Sequence, residues 1–167
     1  MTGLFFVEFG IRDAKGTFQP QHAPYQSPGA REIRTTHMQK TVLLIDDNAI
    51  QAATRQTILK RAGYFVIPVL NPERALQQFR ENEFPSEVNL VITDHVMPGM
   101  NGSQFVRELR TIHPHLPVLV ISGLDEAEEE YKDMNVLFRL KPLLPDNLLA
   151  SVDRLVHPAG LEQAQAS

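Results

Sequence analysis

The strongest constraint on this chain is an alternation between short apolar runs and segments with helical spacing, which repeats five times after residue 40. The apolar runs are four to six residues long and rich in β-branched side chains, as buried strands are. Strands that alternate with helices form parallel sheets whose two faces are covered by the helices. We therefore predict an α/β fold with strands at residues 41–45, 64–69, 90–93, 117–121 and 136–140.

The helices between these strands have recognisable boundaries. Gly63 follows the first helix as a C-terminal cap, whereas Asn71 and Pro72 begin the second. The fourth helix, at residues 125–133, is short and acidic, and the last begins at Pro145. The residues that we expect to face the sheet are Ile50, Ala53, Thr57, Ile58 and Ala62 in the first helix, and Ala75, Leu76 and Phe79 in the second.

The composition argues against several classes of function. The chain has 167 residues, 43% of them hydrophobic, which suits one globular domain. Its net charge of −4 offers no basic surface for nucleic acid or for an anionic membrane, so we expect neither as a direct partner. No apolar run approaches the roughly 20 residues of a membrane span, and there is no cysteine for a disulfide or a thiolate metal site. We therefore expect a cytoplasmic protein.

The two ends of the chain differ from its middle. Residues 1–37 lack a sustained period, and we interpret most of them as a disordered extension in which residues 4–11 add an edge strand or contact a partner. A second interpretation is that translation starts at Met38, which intact-mass measurement of the natively expressed protein would test. Residues 38–157 form the predicted domain, and residues 158–167 a flexible tail.

The third strand delivers a carboxylate, Asp94, to its carboxyl end, and the chain then turns at Pro98, Gly99 and Gly102. In an open parallel sheet this is the edge where ligands bind. Asp94 is therefore a candidate for chemistry. The simpler alternative is an aspartate that caps a turn.

Polar residues follow three other strands. Asp46 and Asp47 come after the first strand, Ser122 after the fourth and Lys141 after the fifth, so all would lie at the edge that carries Asp94. Neighbouring carboxylates repel one another unless a cation neutralises them, and oxygen ligands suit Mg²⁺. A metal, an amine and a hydroxyl could together hold a phosphoryl group. No glycine-rich nucleotide loop follows the first strand, which argues against a nucleotide cradle.

These residues lie in segments that resemble a known family. The segments are Leu-Leu-Ile-Asp46-Asp47-Asn, Thr-Asp94-His-Val-Met-Pro-Gly-Met-Asn-Gly, Val-Ile-Ser122-Gly and Phe138-Arg-Leu-Lys141-Pro142. In order and spacing they resemble the receiver domain of two-component response regulators, over about residues 39–156. The resemblance implies a flavodoxin-like fold of five parallel strands and five helices. It also implies a role in a phosphorelay, in which a sensor histidine kinase or a histidine phosphotransfer protein is the phosphodonor.

The resemblance also assigns roles to individual residues. Asp94 would be the phosphoacceptor, and Asp47, Asp94 and the main-chain carbonyl of Val96 would hold Mg²⁺, with Asp46 acting through a bound water. Lys141 would pair with a phosphoryl oxygen, and Ser122 would close on it. The aromatic residue Phe138 would move inward with Ser122 as a switch; the alternative is a permanently buried core residue.

The chain departs from the family pattern in two places. Ser122 and Lys141 are 19 positions apart, fewer than is usual, and the loss falls in the acidic segment 125–133. We expect an altered output face there, and hypothesise that its acids select basic partners; a merely solvated helix is the alternative. Val96 and Leu124 are both apolar where the family flanks the hydrolytic water, so we expect slow self-dephosphorylation.

The leading hypothesis is a stand-alone receiver that signals to an effector by protein contact and catalyses only its own phosphorylation and dephosphorylation. One alternative is a receiver-shaped interaction module that ignores phosphorylation. Another is a Mg²⁺-dependent phosphohydrolase, which would need a general acid beside the nucleophile, and His95 is the nearby candidate.

Overall fold

The structure, a computed structural model, describes residues 10–12, 18–20 and 39–158. Near the N-terminus, β1 (Gly10–Arg12) and β2 (Phe18–Pro20) form an antiparallel pair in which Ile11 lies opposite Gln19. The other residues up to position 38 lie outside the described part of the chain, as do residues 159–167. The disordered extension, the alternative start at Met38 and the flexible tail therefore stay predictions.

Residues 39–158 contain the predicted parallel sheet. Its five strands run in the order β4-β3-β5-β6-β7, and every neighbouring pair is parallel. The elements are β3 (Thr41–Ile45), α1 (Ala49–Arg61), β4 (Phe65–Val69), α2 (Pro72–Glu81), β5 (Leu90–Asp94), α3 (Gly102–Ile112), β6 (Val118–Ser122), a 3₁₀ helix (Glu126–Tyr131), β7 (Leu137–Leu140) and α4 (Pro145–Val156). The predicted flavodoxin-like α/β fold is confirmed.

Each face of the sheet has its own hydrophobic core. Alternate residues of a strand point to opposite faces, so Leu43 and Val42 enter different clusters although both are fully buried. One cluster packs against α2, α3 and the 3₁₀ helix, and the other packs against α1 and α4. The sheet is therefore covered by helices on both faces, and β3, β5 and β6 are buried along their whole length.

The prediction for the inward face of α1 was largely wrong. Ile50 is 80% exposed, and Ala53 and Thr57 are exposed as well. The buried residues are Ala52 and Leu59. At helical spacing between them lies Arg55, so the inward stripe includes a charged side chain that a search for apolar positions passes over. In α2, by contrast, the three expected inward residues are all buried.

The connection between β6 and β7 differs from the five-helix expectation. In the described part of the chain the fourth helical segment is a six-residue 3₁₀ helix, and the other four are α-helices. Ala127 and Tyr131 are its buried side chains, whereas its acids face solvent. Just after it, Asp133 and Asn135 have positive φ angles of 64° and 51°, which turn the chain sharply into β7. The short segment between β6 and β7 therefore forms one 3₁₀ helix followed by a turn.

Within the described residues, no helix is both long enough and apolar enough to cross a membrane.

Candidate functional site

The strand register brings the predicted site residues to one edge of the sheet. Ile45, the last residue of β3, lies beside Thr93 of β5, so the residues that follow them in the chain, Asp46 and Asp94, are neighbours. The main-chain N–H of His95 donates to the carbonyl of Ile121 (3.0 Å), which places Ser122 alongside. On the far side, the N–H of Lys141 donates to the carbonyl of Ser122 (2.7 Å).

Asp94 is a buried carboxylate with only one of its oxygens paired. Its side chain is 5% exposed, and Oδ2 accepts a hydrogen bond from the ammonium of Lys141. Oδ1 is buried and has no hydrogen-bond partner. An unpartnered buried carboxylate oxygen is costly, because it has lost water without gaining a donor. This oxygen therefore marks the position where the site can accept an incoming electrophile or cation.

Asp46, the neighbouring carboxylate, has both oxygens paired. Oδ1 accepts from the N–H of Asn48 (2.9 Å), and Oδ2 pairs with the guanidinium of Arg55. Arg55 is held from its other side by Gln51, whose Oε1 lies 3.1 Å from Nη2. Burial raises the pKa of Asp46, an effect that the Asn48 N–H and Arg55 oppose and that Asp94 reinforces. Sequence reasoning missed Arg55; its spacing from Ala52 and Leu59 was the available signal.

The other predicted metal ligands are exposed. Asp47 faces solvent, and Val96 is 58% exposed. Because the side chain of Val96 is apolar, this residue could contribute only its main-chain carbonyl. Among the described residues, no three carboxylate or imidazole side chains converge as a ready-made metal cluster. The donor set is nevertheless all oxygen, which suits a hard cation, and Asp94 Oδ1 is free to bind one. The assignment of these residues as Mg²⁺ ligands stays a prediction.

The hydroxyl of Ser122 is engaged in its own loop. It accepts a hydrogen bond from the N–H of Leu124 (2.9 Å) and donates one to the carbonyl of the same residue (3.0 Å). In this arrangement Ser122 makes no hydrogen bond to Asp94. To donate to a phosphoryl group instead, the hydroxyl would have to give up the hydrogen bond that it donates to the Leu124 carbonyl.

A buried polar contact links the residue after Asp94 to the 3₁₀ helix. Nδ1 of His95 and the hydroxyl of Tyr131 lie 2.8 Å apart, and both residues are buried. Nε2 of His95 lies 3.8 Å from Glu130 Oε1, so both ring nitrogens face the 3₁₀ helix, which does not favour His95 as a general acid at Asp94. The Tyr131 ring also lies 5.8 Å from that of Phe138, which is 9% exposed. Sequence reasoning found His95 and Phe138 but not Tyr131, which connects them.

Gly102 allows α3 to begin directly against the site. A Cβ atom at this position would lie 2.6 Å from the carbonyl oxygen of Asp94 and 2.6 Å from the Tyr131 hydroxyl, both closer than van der Waals contact permits. Asn101 caps the same helix through a reciprocal capping box with Gln104. The glycine therefore packs α3 against the strand end that carries the acceptor.

Comparison with known proteins agrees with this geometry. Residues 42–153 match the family model of the response regulator receiver domain. The transcriptional regulatory protein ZraR of Escherichia coli is 30% identical over 131 residues, which cover 76% of this chain and 29% of ZraR. The response regulator protein FleR of Pseudomonas aeruginosa is 35% identical over 118 residues, covering 69% of this chain and 24% of FleR. A response regulator receiver protein of Sinorhizobium medicae superposes with a TM-score of 0.63 at 26% identity, covering 71% of this chain and 95% of that structure.

This chain spans 29% of ZraR and 24% of FleR, so it matches only part of each relative. Receiver domains generally bind Mg²⁺ at an acidic phosphorylation site and are not enzymes in the classical sense. Response regulators interact with histidine kinases and with effectors. Because the family model matches most of residues 39–158, and more than half of the whole chain, this chain belongs to the response regulator receiver domain family.

Proposed function

We propose that this chain accepts a phosphoryl group from a phosphohistidine, carried by a sensor histidine kinase or a phosphotransfer protein, onto Asp94. The observation that carries the proposal is the uneven pairing of this carboxylate: Lys141 pairs with Oδ2, while Oδ1 is buried without a partner. A carboxylate oxygen without a donor, next to a fixed cation, is suited to attack phosphorus. A phosphohydrolase finds less support, because the ring nitrogens of His95 face Tyr131 and Glu130.

The transfer is a displacement at phosphorus. Oδ1 of Asp94 forms the new O–P bond as the N–P bond of the phosphohistidine breaks, and the imidazole leaves with the electron pair. The ammonium group of Lys141, which already pairs with Asp94, then pairs with a phosphoryl oxygen. Such reactions depend on positioning and charge neutralisation more than on covalent help.

Magnesium would be held at this edge by Asp47, Asp94 and the main-chain carbonyl of Val96, with Asp46 acting through a water. When bound, the ion supplies positive charge to the phosphoryl oxygens. The support for this assignment is the all-oxygen donor set and the free oxygen of Asp94.

The signal then passes by a conformational change and protein contact. Ser122 exchanges the hydrogen bond that it donates to the Leu124 carbonyl for one to a phosphoryl oxygen, and Phe138 moves with it. An effector protein reads the altered surface near the 3₁₀ helix, whose acidic face favours basic partners. We place these events in the cytoplasm, where the ATP that supplies histidine kinases is found, and expect no direct contact with nucleic acid or membrane.

The proposal is tested by intact-mass measurement after incubation with acetyl phosphate and Mg²⁺. We expect a stoichiometric, magnesium-dependent adduct of one phosphoryl group in the wild type and in Asp153→Asn, an exposed aspartate of α4. Asp94→Asn should give none. Absence of an adduct in the wild type would favour a phosphorylation-independent interaction module, and consumption of the donor without accumulation would favour a phosphohydrolase.

A further inference from the structure

Arg55 is a charged residue at a position that faces the sheet. It lies between Ala52 and Leu59 on the buried stripe of α1, and its side chain is only 13% exposed. Burying an arginine in this way is unfavourable unless its charge is used. Here the guanidinium reaches the fully buried carboxylate of Asp46, while Gln51, one turn earlier in α1, fixes its orientation.

The acidic edge of the sheet is therefore neutralised from two sides by the protein itself. Asp94 has Lys141 as its cation, and Asp46 has Arg55. The remaining oxygen of Asp46 accepts a hydrogen bond from the N–H of Asn48. A divalent ion approaching this edge meets a carboxylate whose two oxygens are both occupied, one of them by a fixed positive charge.

We propose that Arg55 is a built-in counter-ion that competes with the divalent cation for Asp46 and so weakens Mg²⁺ binding. This inference rests on the proposed function, in which Asp46 helps to hold Mg²⁺. Like charges a few ångströms apart repel strongly near a protein surface, and the effect grows as water is excluded. Binding of the ion therefore requires Arg55 to give up Oδ2 of Asp46 or to remain beside the ion at an energetic cost.

The consequence is a site that remains folded and charge-balanced at low magnesium. Without Arg55, the two neighbouring buried carboxylates would have only Lys141 as a cation. Arg55 thus lowers the affinity for the metal and stabilises the metal-free state.

Isothermal titration calorimetry with MgCl₂ on the full chain tests the inference. Arg55→Gln keeps an N–H donor for Asp46 but removes the charge, and should bind Mg²⁺ on the order of tenfold more tightly than the wild type. Arg55→Lys keeps the charge and should bind more weakly than Arg55→Gln. The matched control is Arg61→Gln, which removes the same charge from an exposed position in the last turn of α1 and should leave the affinity unchanged.

Equal or weaker Mg²⁺ binding by Arg55→Gln, relative to Arg61→Gln, would overturn the inference, as would a complete lack of binding by all four proteins. If Arg55→Gln does not fold alone, its thermal stability is followed against MgCl₂: refolding by the ion supports the inference and failure to refold contradicts it. A wild type that takes up phosphate at Asp94 while Arg55→Gln shows no gain in affinity would leave the proposed function intact and exclude this role for Arg55.

Discussion

Asp46 and Asp94 are adjacent acids at the ends of neighbouring strands, but their surroundings differ. Asp46 is completely buried and its two oxygens are paired with Arg55 and with the N–H of Asn48. Asp94 is paired only through Oδ2, with Lys141, and its other oxygen has no partner. A carboxylate with both oxygens paired is held in place, whereas one with a free oxygen can form a new bond.

The difference originates in the elements that supply the partners. Asp46 takes its partners from α1, which begins three residues later, and from Asn48, the N-cap of that helix. Asp94 is paired with Lys141, which directly follows β7, two strands away in the sheet. The local partners occupy both oxygens of Asp46, whereas the distant partner leaves one oxygen of Asp94 unpaired.

The largest effect is expected from Lys141→Gln, which would make Asp94 a carboxylate without a cation. Phosphorylation by acetyl phosphate should slow on the order of 100-fold, because a fixed charge at the transferring phosphoryl group is lost. The rate of adduct formation by mass spectrometry measures this. Lys132→Gln, at a residue whose side chain is 68% exposed, is the matched control and should react like the wild type. Equal rates for the two variants would show that the Lys141 pair is structural only.

Tyr131→Phe tests whether the region beside Asp94 is also held by tertiary contacts. Removing the hydroxyl leaves Nδ1 of buried His95 without its partner, which should cost about 1–3 kcal/mol of unfolding free energy. Urea denaturation gives the value. Tyr64→Phe, at a half-buried tyrosine, should cost less. A smaller loss of unfolding free energy for Tyr131→Phe than for Tyr64→Phe would show that the contact between His95 and Tyr131 does not stabilise the fold.

The raised pKa of Tyr131 predicts that the folding stability depends on pH. Burial raises the pKa of Tyr131, and nearby Glu130 and Asp94 raise it further. Below the ordinary tyrosine pKa of about 10, both folded and unfolded states are protonated and the full stability is present. Above it the unfolded state ionises first, so stability should fall as pH rises. Urea titrations between neutral pH and pH 11 should show a shallower fall in Tyr131→Phe than in the wild type.

Val96→Asn changes the exposed residue two positions after Asp94. Val96 is largely exposed, so the substitution should not disturb folding. An amide at this position can orient a hydrolytic water, and the phosphoryl half-life should shorten about tenfold. The decay of the adduct after removal of the donor measures it. Leu70→Asn, at an exposed apolar residue that follows edge strand β4, serves as the control. A wild-type half-life of seconds would already refute the expected slow hydrolysis.

The smallest effect is expected from a substitution beside Asp46, whose two oxygens are both paired. The Asn48 side chain caps α1 by accepting from the N–H groups of Ile50 and Gln51. Asn48→Ala should cost about 1 kcal/mol in thermal or urea unfolding, as the loss of an N-cap usually does. Phosphorylation should be nearly unchanged, because the main-chain bond from residue 48 to Asp46 remains. A large loss of phosphorylation would mean that Asp46 depends on this cap.

Much of the fold could be predicted because its signals are local. The predicted strands at 41–45 and 90–93 are continuous runs of apolar or β-branched residues buried on both faces, and α2 has Asn71 and Pro72 as start signals. The strand-end rule also predicts from the sequence that Asp46, Asp94, Ser122 and Lys141 lie at one edge of the sheet. In α1 the same reasoning failed, because its inward stripe contains Arg55 and apolar Ile50 faces solvent.

The sequence by itself determined the alternation of strands and helices, and hence which polar residues meet at the carboxyl edge of the sheet. Only the tertiary structure decided how each of them is paired: Arg55 with Asp46, Lys141 with one oxygen of Asp94, and Tyr131 with His95. Hydrophobic periodicity and helix-end signals involve residues only a few positions apart, so they can be recognised from the sequence alone. The partners of a buried charge come from elements brought together by packing, and that packing leaves one oxygen of Asp94 free.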